Sequence, residues 1–434
     1  MTARHHAGPG PAPATGMYRW YVLAMLFLVS VLNTIDKMLI PALAEPLRME
    51  FDLSDSQLGF LIGLVFSAAY AIASIPVGVL IDRVNRSRLL ASLLLIWSAM
   101  TLVSAKAGSL LSLALCRMGI AAAESGGNPT SFSLISDYFS REQRGRAIGI
   151  FSANTAIAGF LVYAIAGYVA EHHGWRMAFV ISAIPGFLLA AIIFFTVKEP
   201  VRGAFDAPSE LPDPSTPAAT PLDVARGILN DPSLRLVTIA GVCVILALVG
   251  TSAFTASFFV RLHGLSLQET GVTAGAISGG GAIIGALAGG IMADRALRHS
   301  AAGACRLLSW ITLIGIPLGV VGFAASNLSV VVGALFLFQM LLTSFYAGTY
   351  ATILEISPVN VRGATVAYIT IALNLGGYGF GPQITGVLSD VFAGLGFEQS
   401  LRYALLSVLS VLILSSVAYR KAAQAIEQHH DATA

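Results

Sequence analysis

Two nine-residue stretches decide the fold: GVLIDRVNR at residues 78–86 and GIMADRALR at residues 290–298. Both close an apolar run with Gly-x-x-x-Asp-Arg-x-x-Arg, and Gly290 follows Gly78 by 212 residues. Further matches come in the same order. Asp137 with Arg144-Gly145 is repeated as Glu355 with Arg362-Gly363, and Trp175-Arg176 is repeated as Leu401-Arg402. Self-similarity at a fixed spacing marks a duplicated structural unit. The halves of this chain are parallel copies of one another.

Each copy is a bundle of membrane helices. Of 434 residues, 56% are hydrophobic and 11% charged, and mean hydropathy is +0.78. A soluble domain carries about 25% charged residues, so an ordinary water-soluble enzyme is excluded. Only helices or closed barrels satisfy their own backbone in hydrocarbon. The apolar runs here are too long and too uniform for barrel strands, which alternate inward and outward. Twelve spanning helices are expected, at 19–44, 57–81, 89–106, 110–139, 147–170, 175–197, 233–260, 268–293, 305–325, 328–356, 364–390 and 400–420.

Residues 1–18 form a Pro/Gly-rich tail expected to be disordered. Residues 19–197 form the first six-helix bundle. The proline- and acid-rich stretch 198–232 reads as a cytoplasmic linker. Residues 233–420 form the second bundle, and 421–434 a tail. One face of the membrane collects 18 of 25 Lys/Arg residues. The opposite face has Arg48, Lys106, Arg176, Arg261 and Arg402, while Lys37 and Arg117 fall inside helices. By the positive-inside rule both termini are cytoplasmic, and a bacterial inner or plasma membrane location is expected. Net charge is +2, which suggests no nucleic-acid partner. Cys116, Cys243 and Cys305 have no pairing or metal-site spacing and read as small packing residues.

The motif PVGVLIDRVNRSR (76–88) resembles the loop between helices 2 and 3 of the major facilitator superfamily. The order of LNTIDK (32–37), LLIWSAMT (94–101), the ALCRMGIAAAES segment from 114 and GWRMAF (174–179) is similar to spinster-like transporters of that superfamily. The match covers nearly all of residues 20–200. Two departures are Lys37, where arginine is commoner, and Ala-Ala-Ala-Glu124-Ser in place of a glycine-rich segment. The resemblance implies an all-α major facilitator fold of two six-helix bundles that work by alternating access. It also implies a conformational latch of Gly78, Asp82, Arg83, Arg86 and Asp137. The second-half counterparts are Asp294, Arg295, Arg298, Glu355 and Arg362. Arg86 is expected to pair with Asp137, and Asp82 to meet a helix N-terminus of the other half. Spinster-like relatives include transporters of lysolipids and sphingolipids.

Ionisable residues inside membrane helices are costly and mark function. Asp36 and Arg117 are expected roughly 10–12 Å from the same face, by the helix rise of ~1.5 Å per residue. Glu124 lies two turns beyond Arg117, and Asn33 one turn beyond Asp36. Asp36–Arg117 is therefore a candidate switch: ionised Asp36 holds Arg117, and protonated Asp36 frees it for an anion. Glu124 is a second proton-coupling candidate, and Asn33 a substrate contact. Whether Lys37 faces the cavity is open at this level. The second half contributes neutral candidates, Tyr346, Tyr350, Asn374 and Tyr378. One charged half facing an aromatic half suits an amphiphilic anion. With no phosphate-cradling loop, metal spacing or catalytic triad, the chain reads as a secondary transporter coupled to protons, not an enzyme, with no cofactor and no metal. A monomer is expected, with a small-molecule or lipid substrate, protons and the bilayer as partners. The alternatives are a proton symporter of small organic anions of the anion:cation symporter type, and a membrane receptor that binds without translocating.

Overall fold

The computed structural model describes residues 16–203, 205, 221–358 and 361–433. Most of the expected N-terminal tail lies outside these residues. Among the described residues ten helices are long and apolar enough to cross a membrane, and the helices between Leu110 and Tyr138 and between Arg362 and Gly394 complete a set of twelve. In chain order they are α1 (Met17–Ala42), α2 (Asp55–Arg83), α3 (Arg86–Ser104), α4 (Leu110–Glu124 and Gly127–Tyr138), α5 (Arg141–Ser152 and Asn154–His173) and α6 (Trp175–Thr196). The second set is α7 (Pro232–His263), α8 (Leu267–Leu297), α9 (Ala301–Ala324), α10 (Leu328–Ile356), α11 (Arg362–Gly394) and α12 (Ser400–Val408 continued by Val411–Thr433).

Helix starts follow local chemistry. Ser54 and Ser266 accept from the backbone of Gln57 and Glu269 in capping boxes, satisfying N–H groups that have no partner within the helix. Asp231 caps α7 just before Pro232, which fits the first helical turn. Two short helices were not expected from the sequence. Ala44–Phe51 follows α1. Pro221–Asn230 lies in the expected linker, with Val224 and Ile228 buried one turn apart.

Several spans are irregular along their length, and the irregularities recur between the halves. Wide π-type turns occupy Phe60–Leu64 of α2 and Ala276–Gly280 of its counterpart α8. α4 breaks at Ser125–Gly126 and its counterpart α10 at Ser344. α5 breaks at Ala153, and α11 carries a π turn at Asn374–Gly379. Such turns inside α-helices frequently mark functional sites.

The halves are pinched together at one end. A Cβ at Gly59 or Gly63 would collide with Pro382 or Gly379 of α11, and one at Gly167 or Gly271 would enter the facing backbone between α5 and α8. Small residues let these helices approach this closely. Charge reinforces the seam. Arg261 of α7 grips Asp55 of α2 with both terminal nitrogens, at 2.9 and 2.8 Å, and donates to Glu45 at 2.7 Å. Asp390 of α11 caps α2 by accepting from the amides of Asp55 and Ser56 at 3.0 and 2.9 Å. The other, arginine-rich end has no such glycine contact across the halves: Gly78, Gly149, Gly290 and Gly363 have nothing within 4 Å of where a Cβ would sit.

Candidate functional site

The first half places a polar cluster on α1, α2, α3 and α4. Asn33, Asp36, Arg117 and Glu124 are all at most 5% exposed. Thr101 of α3 donates its hydroxyl to Asp36 Oδ1 at 3.1 Å. The expected pairing of the Asp36 carboxylate with Arg117 is not what the structure shows. Arg117 instead donates Nη1 to the main-chain oxygen of Asp36 at 2.8 Å and Nη2 to that of Lys37 at 3.1 Å. Pro41, in the last turn of α1, has no N–H for the carbonyl of Lys37, which leaves that oxygen without its helical donor. The guanidinium also lies 4.3 Å from the ring centroid of Phe66, a cation–π distance.

Lys37 is the less buried cation of the two. Its ammonium donates to Asn33 Oδ1 at 2.8 Å and lies 5.4 and 5.8 Å from the Tyr70 and Phe66 rings. Phe66 and Tyr70 stack with ring centroids 5.9 Å apart. Neither aromatic was anticipated from the sequence, although the pair at i and i+4 on α2 was available as a signal. Glu124 is fully buried, and neither of its carboxyl oxygens reaches a donor among the described residues. A carboxylate buried without donors is costly, so its charge state and the packing around it are linked.

The four second-half candidates come together on α10 and α11. The Tyr346 and Tyr378 hydroxyls share a 2.7 Å hydrogen bond. Tyr350 pairs with the Thr370 hydroxyl at 3.3 Å, and Asn374 donates to the Thr370 main-chain oxygen at 2.9 Å. Tyr378 and Asn374 both belong to the π turn of α11. The next residue, Gly379, packs on Leu64 and Ser67 of α2, so the tyrosine group lies beside the helix that carries Phe66 and Tyr70.

The latch is half formed. Arg86 meets Asp137 at 2.5 Å, as expected, and also Glu199 at 2.7 Å. Arg202 donates to the main-chain oxygens of Ile81, Asp82 and Val84, capping the end of α2. Glu199 and Arg202 were missed because they belong to the segment read as linker. The Asp82 and Arg83 side chains are exposed, and Asp82 meets no helix of the other half among the described residues. Asp294, Arg295, Arg298 and Glu355 are likewise exposed and form no ion pair among the described residues, and Arg362 Nε is buried without a partner there. The cross-half contact is absent because this end of the molecule is open.

Twelve spans in two pseudo-repeated bundles, closed at one end and open at the other around a polar cluster, define a membrane transporter of the alternating-access class. The chain matches the Major Facilitator Superfamily over residues 25–380 and belongs to that family. It is 29% identical over 406 residues to an MFS-type efflux pump of Mycolicibacterium smegmatis, covering 92% of this chain and 91% of that one. It is 26% identical over 377 residues to a hexuronate transporter of Bacillus subtilis, covering 85% and 87%. Among solved structures it resembles a bacterial homologue of the human lysosomal transporter spinster, in an inward-facing, unoccupied conformation. That likeness has a TM-score of 0.86 and 26% identity, over 96% of this chain and 99% of that one. The protein is a transporter, not an enzyme.

Proposed function

We propose that the protein carries an anionic, partly apolar organic substrate, with protons as the coupling ion and Lys37 as the group that meets the anion. The observation that carries this reading is the unequal commitment of the two cations. Arg117 is spent on the backbone of α1 and covered by Phe66, whereas among the described residues Lys37 holds only one oxygen, that of Asn33. An ammonium has three donors, so two remain for a ligand. Arg117 adds fixed positive charge beside it. Tyr346, Tyr350 and Tyr378 offer an aromatic surface for the apolar part. Asp36 and Glu124 are the proton-coupling groups in this scheme, and the site residues act within bundles bounded by 19–197 and 233–420.

The arginine-rich end is assigned to the cytoplasm, with both termini there, in a bacterial inner membrane. The conformation is then inward-facing, and the protein works as a monomer. A second reading, transport of a sugar acid, draws on the hydroxyls of the same tyrosine group with Thr370 and Asn374, which suit a polyol.

Uptake into proteoliposomes tests both. Lysophosphatidylglycerol and glucuronate are offered singly and in competition. Saturable uptake of the lysolipid, with glucuronate a poor competitor, is expected. Uptake of glucuronate alone selects the second reading. Binding of either without flux would show that the bound probe is not a transported substrate.

A further inference from the structure

We infer that Pro41 is a positioning residue of the anion site, acting through Arg117 rather than by touching substrate. The inference rests on the reading of Lys37 as the anion-binding group. In an uninterrupted helix the carbonyl of Lys37 would accept the amide of residue 41. Proline has no N–H there, and its ring pushes on the carbonyl four residues back. The freed oxygen takes Arg117 Nη2 at 3.1 Å, while Nη1 takes the neighbouring oxygen of Asp36 at 2.8 Å. Two donors of one rigid fork on successive carbonyls fix the guanidinium in register with α1.

Three consequences follow from that geometry. Both terminal nitrogens of Arg117 are occupied, and Nε is buried with no partner among the described residues. With the fork turned to the backbone and its face on Phe66, Arg117 is withheld from ligand. Lys37, whose own carbonyl is held by that fork, keeps its side chain directed to Asn33 and the Phe66–Tyr70 pair. Pro41 itself is the penultimate residue of the 26-residue helix α1, one turn beyond the site and buried, so it reaches ligand only through this chain of contacts.

The test is a double-mutant cycle of Pro41→Ala and Arg117→Lys in the full-length protein in nanodiscs. Tm is measured alongside binding of lysophosphatidylglycerol and, separately, glucuronate. Alanine restores the amide and removes a helix-breaking residue, so Pro41→Ala should melt no lower than wild type. It should nonetheless weaken anion binding, on the order of tenfold, because Arg117 must then share the Lys37 carbonyl with the amide of residue 41 and its register loosens. A residue with only a packing role would not lower affinity while sparing Tm. Arg117→Lys should lower Tm less in the Pro41→Ala background, where the Lys37 carbonyl has another partner. The two affinity losses should also be less than multiplicative.

Unchanged affinity in Pro41→Ala, or fully independent effects on Tm, would overturn the inference. A Pro41→Ala protein melting well below wild type would give Pro41 a packing role and overturn it too. If wild type binds neither probe, the substrate reading fails instead, and the Tm cycle still decides the role of Pro41.

Discussion

Lys37 and Arg117 are both cations of the first bundle, yet their surroundings give them different work. Arg117 holds two main-chain oxygens, and Lys37 holds one side-chain oxygen that can be exchanged for a ligand's. Lys37→Ala should therefore cost about 1.5–3 kcal/mol of anion affinity, roughly ten- to hundredfold in Kd. Lys37→Arg should retain most of it, and a neutral analogue of the ligand should not distinguish the three proteins. Calorimetry in nanodiscs reads all of this. Glu124, buried with no donor among the described residues, makes a separate prediction. Glu124→Gln should abolish accumulation driven by a pH gradient but leave counterflow exchange intact, because the amide cannot carry a proton. Retained gradient-driven accumulation in tracer uptake would remove Glu124 from the coupling scheme. The identity of these residues was legible in the sequence, since charges inside apolar runs are conspicuous. The partners of Arg117 were not. They depend on a backbone acceptor freed by a proline one turn away, which side-chain spacing does not reveal.

At the scale of elements, α2 and α11 carry the seam. Gly59 and Gly63 allow the backbones to touch, and Asp390 caps the start of α2 while Arg261 bridges Asp55 and Glu45. Removing one partner of a buried ion pair leaves the other uncompensated. Arg261 is itself about one-fifth exposed, so solvent offsets part of that penalty. Arg261→Ala should weaken the closed end by about 2 kcal/mol, enough to populate forms open at that end. Spin labels at Met49 and Leu395, both exposed near this end, should then show a second, longer distance. A distribution identical to wild type would mean that glycine packing alone holds the seam. Helix existence and order were legible from the apolar runs, but the last helix, expected to end at 420 with a tail after it, continues to Thr433, because its final turns are polar and fall outside the apolar run. The breaks were not: 110–139 reads as one helix, but the chain divides at Ser125–Gly126. The Pro221–Asn230 helix was hidden by the prolines around it.

Across the whole molecule, the duplication read from GVLIDRVNR and GIMADRALR is real in three dimensions, down to the paired irregularities of α2 with α8 and α4 with α10. The charges it carries are nonetheless used unequally. Arg86 and Asp137 are paired in the first half, whereas Arg298 and Glu355 stand exposed in the second. The sequence motif could not reveal this, because Arg86 is held by Glu199 as well as by Asp137, and Glu199 lies outside the repeated stretches. The central claim is coupled movement of an anion with protons through a site anchored by Lys37. Its most direct test is substrate-driven proton movement in proteoliposomes, followed with an internal pH dye after adding lysophosphatidylglycerol or glucuronate. One of these should drive a proton flux that saturates, that Glu124→Gln abolishes and that Lys37→Ala shifts to much higher concentration. Substrate flux with no accompanying proton movement, or proton movement indifferent to Lys37→Ala, would contradict it.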